Sequence, residues 1–266
     1  MIPRRPALDF ADVPFHWAEN REFATDLNAS SPVAAQSEPY LNTVMATVRK
    51  QLPEGALRDE IDIFIKQEAN HYALHNKFND EMYRRGYEEI REIELELRDD
   101  FRRMLKTRSI KFNAAYCAGF ENLALFLCKF IFYRALPYFN SAEKRMADLF
   151  LWHYSEEFEH RSVAHHAFAH VSGNYFRRVH GAFYAFFHLA RYKSRIKKVL
   201  FEVDRAAMSP EEAGRSRRQE RALNVELAGY VLPRMFAVLI PYYDPGRAKL
   251  PEAVRATLAR FETTAT

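Results

Sequence analysis

Two Glu-x-x-His steps, Glu68-Ala69-Asn70-His71 and Glu157-Phe158-Glu159-His160, constrain this chain more than any other feature. Each lies in a stretch whose apolar residues recur with helical spacing. At about 100° of rotation per residue, Glu68, His71 and His75 fall within an arc of about 60° on one helix. His153, Glu157 and His160 fall within a similar arc on another, with Glu156 at its edge and Glu159 well outside it. Apolar residues flank both stripes: Ile61, Phe64, Ile65 and Leu74 beside the first, Leu149, Trp152, Phe158 and Ala164 beside the second. An ionisable group facing a core is unfavourable unless it is paired or holds a metal. Three such groups on each of two helices are more than packing needs.

The rest of the chain reads as further helix. Glycine is scarce, with 8 residues in 266, against a usual share of about 7%. Residues 1–30, with Pro3, Pro6 and Pro14, read as an irregular leader. Ser31-Pro32 resembles a cap followed by proline at the first helical position, and a first helix is expected from there to about Lys50. Pro39 predicts a kink in it, or a true start after Ser37. A second helix is expected over about 57–85, and a solvated, charge-rich one over about 87–106. A strongly apolar helix follows over about 110–136, and one running from Ser141 to about Val171. An aromatic and basic helix covers 175–204, one starts at Ser209-Pro210, and a short last one starts near Pro251. The expectation is an all-α chain, one domain over 1–266, with a four-helix core over about 32–172 and a helical C-terminal extension over about 175–262.

Glu121 sits alone in the apolar run from Ala114 to Leu127, and Glu38 lies beside the expected kink. In chain order the set is Glu38, Glu68-x-x-His71, Glu121, Glu157-x-x-His160. This is similar to the ligand order of ferritin-like bundles that hold two iron or two manganese ions. The resemblance implies a ferritin-like fold and a site for two Fe ions, with Mn as the other candidate. The donors are carboxylates and imidazoles, which suit those metals better than a thiolate-seeking ion. The implied ligands are Glu38, Glu68, His71, Glu121, His153, Glu157 and His160, with Glu121, Glu157 and His153 closest to the chemistry. His75 and Glu156 are read as further ligands or as groups that support them.

The wider pattern resembles a bacterial family of predicted metal-dependent hydrolases. It is carried by Gln67-Glu68-x-x-His71-x-x-x-His75, by Glu121, by His153-x-x-Glu156-Glu157-x-Glu159-His160 and by Tyr242-Tyr243-x-Pro245, over roughly 27–251. The ligand set alone is also similar to the di-iron arylamine N-oxygenases, in which a third histidine precedes the last Glu-x-x-His by one turn, as His153 does. That second likeness implies an O2-activating oxygenase or oxidase acting on a small, partly apolar substrate. Hydrolysis at the same dinuclear site is the alternative, and metal storage or membrane-surface binding is a third reading.

Other features narrow the partners. The formal net charge is +4, and no nucleic-acid-binding signature is present, so no nucleic-acid partner is expected. No Gly-x-Gly-x-x-Gly and no cysteine cluster is seen, so redox chemistry would need an external electron donor. Cys117 and Cys128 are eleven residues apart on one expected helix, roughly 16 Å along its axis. They are too far apart to bridge, and free thiols in a reducing compartment are expected. No apolar signal segment follows Met1, and every stretch of spanning length carries charge. A cytoplasmic location is expected, with peripheral contact to the inner membrane through the basic aromatic stretch 175–204 as an alternative to its packing on the bundle. A homodimer is a further candidate assembly.

Overall fold

Asn20 starts the first helix earlier than Ser31-Pro32 suggests. Its side chain accepts a hydrogen bond from Phe23 N, and α1 runs unbroken over Arg21–Arg49 with Pro32 and Pro39 inside it. Each proline removes one backbone hydrogen bond. Burial outweighs that loss, because Phe23, Ala24, Leu27, Ala29, Leu41 and Met45 are all packed into the core. The expected leader over 1–30 is therefore wrong for 21–30. Residues before it are irregular but anchored: Trp17 Nε1 donates to Asn28 Oδ1 at 2.9 Å, and Phe10, Val13 and Trp17 are buried.

A computed structural model describes residues 1–262, and the last four residues of the expected domain lie outside them. After α1 come α2 (Ala56–Arg84), α3 (Ile90–Thr107), α4 (Ile110–Phe130), α5 (Lys144–Glu159), α6 (Val163–Val171), α7 (Tyr175–Ala206), α8 (Pro210–Met235) and α9 (Glu252–Arg260). No β-strand occurs among the described residues. The all-α expectation holds, and α1, α2, α4 and α5 carry the residues read as ligands.

Two further expectations are corrected. The helix expected over 141–171 begins at Lys144, capped by Glu143 rather than Ser141, and it breaks at His160. His160 lies at its C-terminus with φ −97° and ψ 12°, and Val163 N bonds back to His160 O at 2.9 Å. The break lets α6 turn away to pack on α4 and α2. The charge-rich α3 is not wholly solvated, since Ile90, Ile93, Leu97, Phe101 and Met104 form a buried face.

The C-terminal helices lie against the bundle. α7 buries Ala182, Ala185, Leu189, Tyr192, Ile196 and Leu200, while Phe176 and Phe187 stay exposed. α4 and α7 touch at Gly119 and Gly181, where each backbone leaves no room for a Cβ on the other. α8 begins with the capping box that Ser209 and Glu212 predict. Two helical stretches, Ile110–Phe139 and Pro210–Leu239, are long and apolar enough to cross a membrane; the first is 78% buried in the protein and the second 22%. Cys117 and Cys128 are free and buried, as their spacing predicts.

Candidate metal centre

With α1 continuous through Pro39, Glu38 faces inward and is fully buried. α2 brings Glu68 and His71, α4 brings Glu121, and the end of α5 brings Glu157 and His160, all with no exposed surface. His153, one turn earlier on α5, is 7% exposed. All seven sequence-predicted ligands therefore converge. One donor atom each from Glu68, His71, Glu157 and His160 lies within 4.8 Å of the others, and the same holds for Glu38, His71 and His153. His71 belongs to both groups. Glu121 joins through His160, whose Nδ1 is 3.1 Å from Glu121 Oε2.

The donor atoms are short of partners. Both carboxylate oxygens of Glu38, together with Glu68 Oε2, Glu157 Oε2, Glu121 Oε1 and His71 Nδ1, are buried without a hydrogen bond, while Glu68 Oε1 faces His160 Nε2 at 3.0 Å and Glu157 Oε1 faces His153 Nε2 at 3.2 Å. Buried polar atoms are almost always satisfied, so a converging set of unsatisfied ones needs an explanation. Two divalent cations would supply it: four carboxylates balance two such ions, and oxygen and imidazole donors are the right kind.

The electrostatics agree. Burial raises the Glu38 carboxyl well above its ordinary range, and Glu68 and Glu157 add to the effect. Burial followed by the nearby Glu157 pushes Glu68 up to about 8. Burial pushes Glu121 up to about 7, against the pull of His160. Burial lowers the His71 and His153 pKa values, the second to about 3, so both rings are neutral. Burial opposes charge on His160 too, but Glu121 and Glu157 outweigh it and raise that pKa well above 6.5. Without cations the site holds protons in their place.

Two hydrogen-bonded chains orient the rings. His71 Nε2 is 3.2 Å from Glu156 Oε2, which leaves Nδ1 turned toward Glu68 and Glu157, each at 3.8 Å. Glu156 in turn accepts from Arg4 N and Arg4 Nη1, both at 3.1 Å, and Arg4 also bonds Glu159. Glu156 is thus a partner of a ring and an arginine, as its place at the edge of the arc suggests.

The second chain starts at Glu94, which accepts from Tyr83 Oη and from Asn79 Nδ2. That fixes Asn79 Oδ1 toward Ser31, whose hydroxyl donates to it at 2.6 Å. The Ser31 oxygen is then an acceptor for His75 Nδ1 at 2.8 Å, and His75 Nε2 an acceptor for His153 Nδ1 at 2.9 Å. The proton on His153 therefore sits on Nδ1, and Nε2 presents its lone pair 3.2 Å from Glu157 Oε1. Two acceptors facing each other repel unless a proton or a metal cation lies between them; burial raises the Glu157 pKa and favours the proton when no metal is bound. His75 reaches the cluster through His153 and belongs to this supporting chain.

Sequence reasoning missed Arg4, Ser31, Asn79 and Glu94. Asn79 lies one turn beyond His75 on the ligand face of α2 and was visible in principle. Ser31 was masked by its likeness to a helix cap, and nothing in the sequence ties Arg4 to α5.

The cluster opens on a cavity of about 390 Å³ between α1, α4, α5, α7 and α8, into which His153, Glu157 and His75 project. No curated protein and no solved structure matches the chain. Residues 2–249 match the model of one family, that of the predicted metal-dependent hydrolases, and the chain belongs to it.

Proposed function

We propose that the protein is a dinuclear metal-dependent hydrolase acting on a partly apolar small molecule. The observation that carries the metal part is the convergence of buried, under-bonded carboxylate and imidazole atoms beside a cavity. The family's description supports hydrolysis as the reaction class. Glu38, Glu68, Glu121, Glu157, His71, His160 and His153 would hold the two ions. The ions, when bound, supply Lewis acidity and lower the pKa of a water, the two needs of hydrolysis at neutral pH. Glu156 and His75 keep His71 and His153 in the required tautomers. Phe120, Leu127 and Phe150 give the cavity an apolar wall beside the cluster, so charge there is felt more strongly than in water.

One observation favours a second reading, O2-dependent oxidation with an external electron donor. The site combines four carboxylates with three imidazoles and no thiolate, a donor set suited to iron or manganese in a helical bundle.

Metal analysis of the purified protein and turnover of a p-nitrophenyl alkanoate series separate the two. The hydrolytic reading expects about two ions per chain and turnover with Mn or Zn under anaerobic conditions without reductant. It expects loss of turnover on chelation and in Glu157→Gln. Turnover that survives complete metal removal sinks it. Consumption of O2 by the iron-loaded, reduced protein, with no hydrolysis of any ester, replaces it by the second reading.

A further inference from the structure

The cavity that ends at His153 and Glu157 has an unusual opposite end. Most of its wall is apolar, from Phe120, Leu123 and Leu127 on α4 to Leu189 on α7 and Leu227 and Val231 on α8. At the far end Lys193 and Lys197 of α7 enter the same wall. Both point at one carboxylate: Lys193 Nζ is 2.7 Å from Asp26 Oδ2 and Lys197 Nζ is 3.1 Å from Asp26 Oδ1. Lys197 also donates to Asn224 Oδ1 at 2.6 Å, while Asp26 is the one hydrogen-bond acceptor of Lys193 among the described residues. Two ammonium groups against one carboxylate leave an excess positive charge at a largely buried place. An ammonium carries three donors, so Lys193 has donors to spare. A second hollow of about 760 Å³ continues from Ser194, Lys197 and Asn224 and adds Lys198, Arg205 and Arg217 to its rim, the first two ion-paired with Glu202 and Glu220.

The two ends are separated along α1. Asp26 lies five residues from Ser31, which reaches His153 through His75, and twelve from Glu38, about 8 and 18 Å of axis. The volume of the inner cavity falls in the usual range for a small ligand, about 300–1,000 Å³. A largely apolar space with a pair of cations on one part of its wall and carboxylate and imidazole groups on another recognises a molecule with matching parts.

We propose that this cavity binds a single-chain amphiphile, its anionic end group held by Lys193 and Lys197 and its apolar chain directed inward, so that the reacting bond lies at the end remote from the anion. This assignment rests on the dinuclear reading above for the chemistry at the inner end. The binding itself involves only the cavity wall and the lysines.

Calorimetric titration of the full-length protein with dodecanoate, dodecan-1-ol and butanoate tests it. Dodecanoate is expected to bind at least ten-fold more tightly than dodecanol, which lacks the charge, and than butanoate, which lacks the chain. Lys193→Met leaves Asp26 paired with Lys197 and is expected to weaken dodecanoate about ten-fold without changing dodecanol. Asp26→Asn removes the competing carboxylate and is expected to tighten dodecanoate, a direction that loss of folding cannot imitate. Equal affinity for dodecanoate and dodecanol in the natural protein, or an unchanged dodecanoate affinity in Lys193→Met, overturns the proposal. Metal content is measured on the same samples. Selective dodecanoate binding by a protein that takes up no metal retains the cavity assignment and sinks the dinuclear reading; two bound ions without dodecanoate binding do the reverse.

Discussion

His153 shows how a single residue depends on groups far from it in sequence. Its Nε2 is free to face Glu157 only because Glu94, Asn79, Ser31 and His75 hold the proton on the other nitrogen. Partners of this kind are worth roughly 10–100-fold in metal affinity where they have been removed from metal sites. Ser31→Ala and Asn79→Ala are accordingly expected to weaken metal binding by about that factor while the helices stay folded. Titration of the metal-free variants with Mn, followed by electron paramagnetic resonance of the unbound ion, reads the change. Affinity equal to that of the natural protein would remove the chain from any role at the site. The convergence of the candidate ligands was legible in the sequence because metal chemistry demands few residue types and a helix fixes their spacing. The supporting chain was not, because Ser31 and Asn79 are common residues whose meaning comes from which side chain they meet across the bundle.

At the scale of elements, helix phase was legible where apolar spacing was strong and misleading where proline stood in for it. The stripes of α2 and α5 read correctly, and Glu121 in α4 needed only its apolar neighbours. α1 did not, because Ser31-Pro32 and Pro39 carry local signals for a boundary that tertiary burial overrides. The contact of α4 with α7 was also hidden: close approach at Gly119 and Gly181 requires both helices to be known. The two kinds of helical glycine here make opposite predictions. Gly181→Ala forces a Cβ against Ala115 and is expected to destabilise by about 1–3 kcal/mol through overpacking. Gly229→Ala, on the exposed side of α8 with nothing within 4 Å of the new Cβ, is expected to stabilise by up to about 1 kcal/mol through helix propensity. Urea unfolding of the two variants checks both, and a stabilised Gly181→Ala would mean that α7 does not press on α4.

For the whole molecule, the cluster links stability to pH and metal. Glu68 and Glu121, raised to about 8 and about 7, bind protons in the folded state that they release when unfolded above their ordinary range. Glu38 and His160 shift in the same direction. Raised values give stability that is complete below the unfolded pKa and is lost as pH rises through the folded one. His71, His75 and His153 are lowered by burial, and their contribution is complete above about 6.5, the unfolded value, and lost on acidification. The two sets oppose each other in mildly acidic solution. Above pH 6.5 the first set still titrates, joined by Glu94 and Glu156, which burial raises to about 7, so metal-free protein is expected to lose stability steadily from there to about pH 8. Each retained proton contributes a slope of up to about 1.4 kcal/mol per pH unit. Bound divalent ions displace the protons of the first set, which reduces the slope and adds about 2.7 kcal/mol at a hundred-fold excess of ion over its Kd. Thermal melts of metal-free and Mn-loaded protein between pH 6.5 and 8.5 therefore should diverge as pH rises. Parallel curves would mean that the four glutamates are not where the metal binds, whatever reaction the cavity serves.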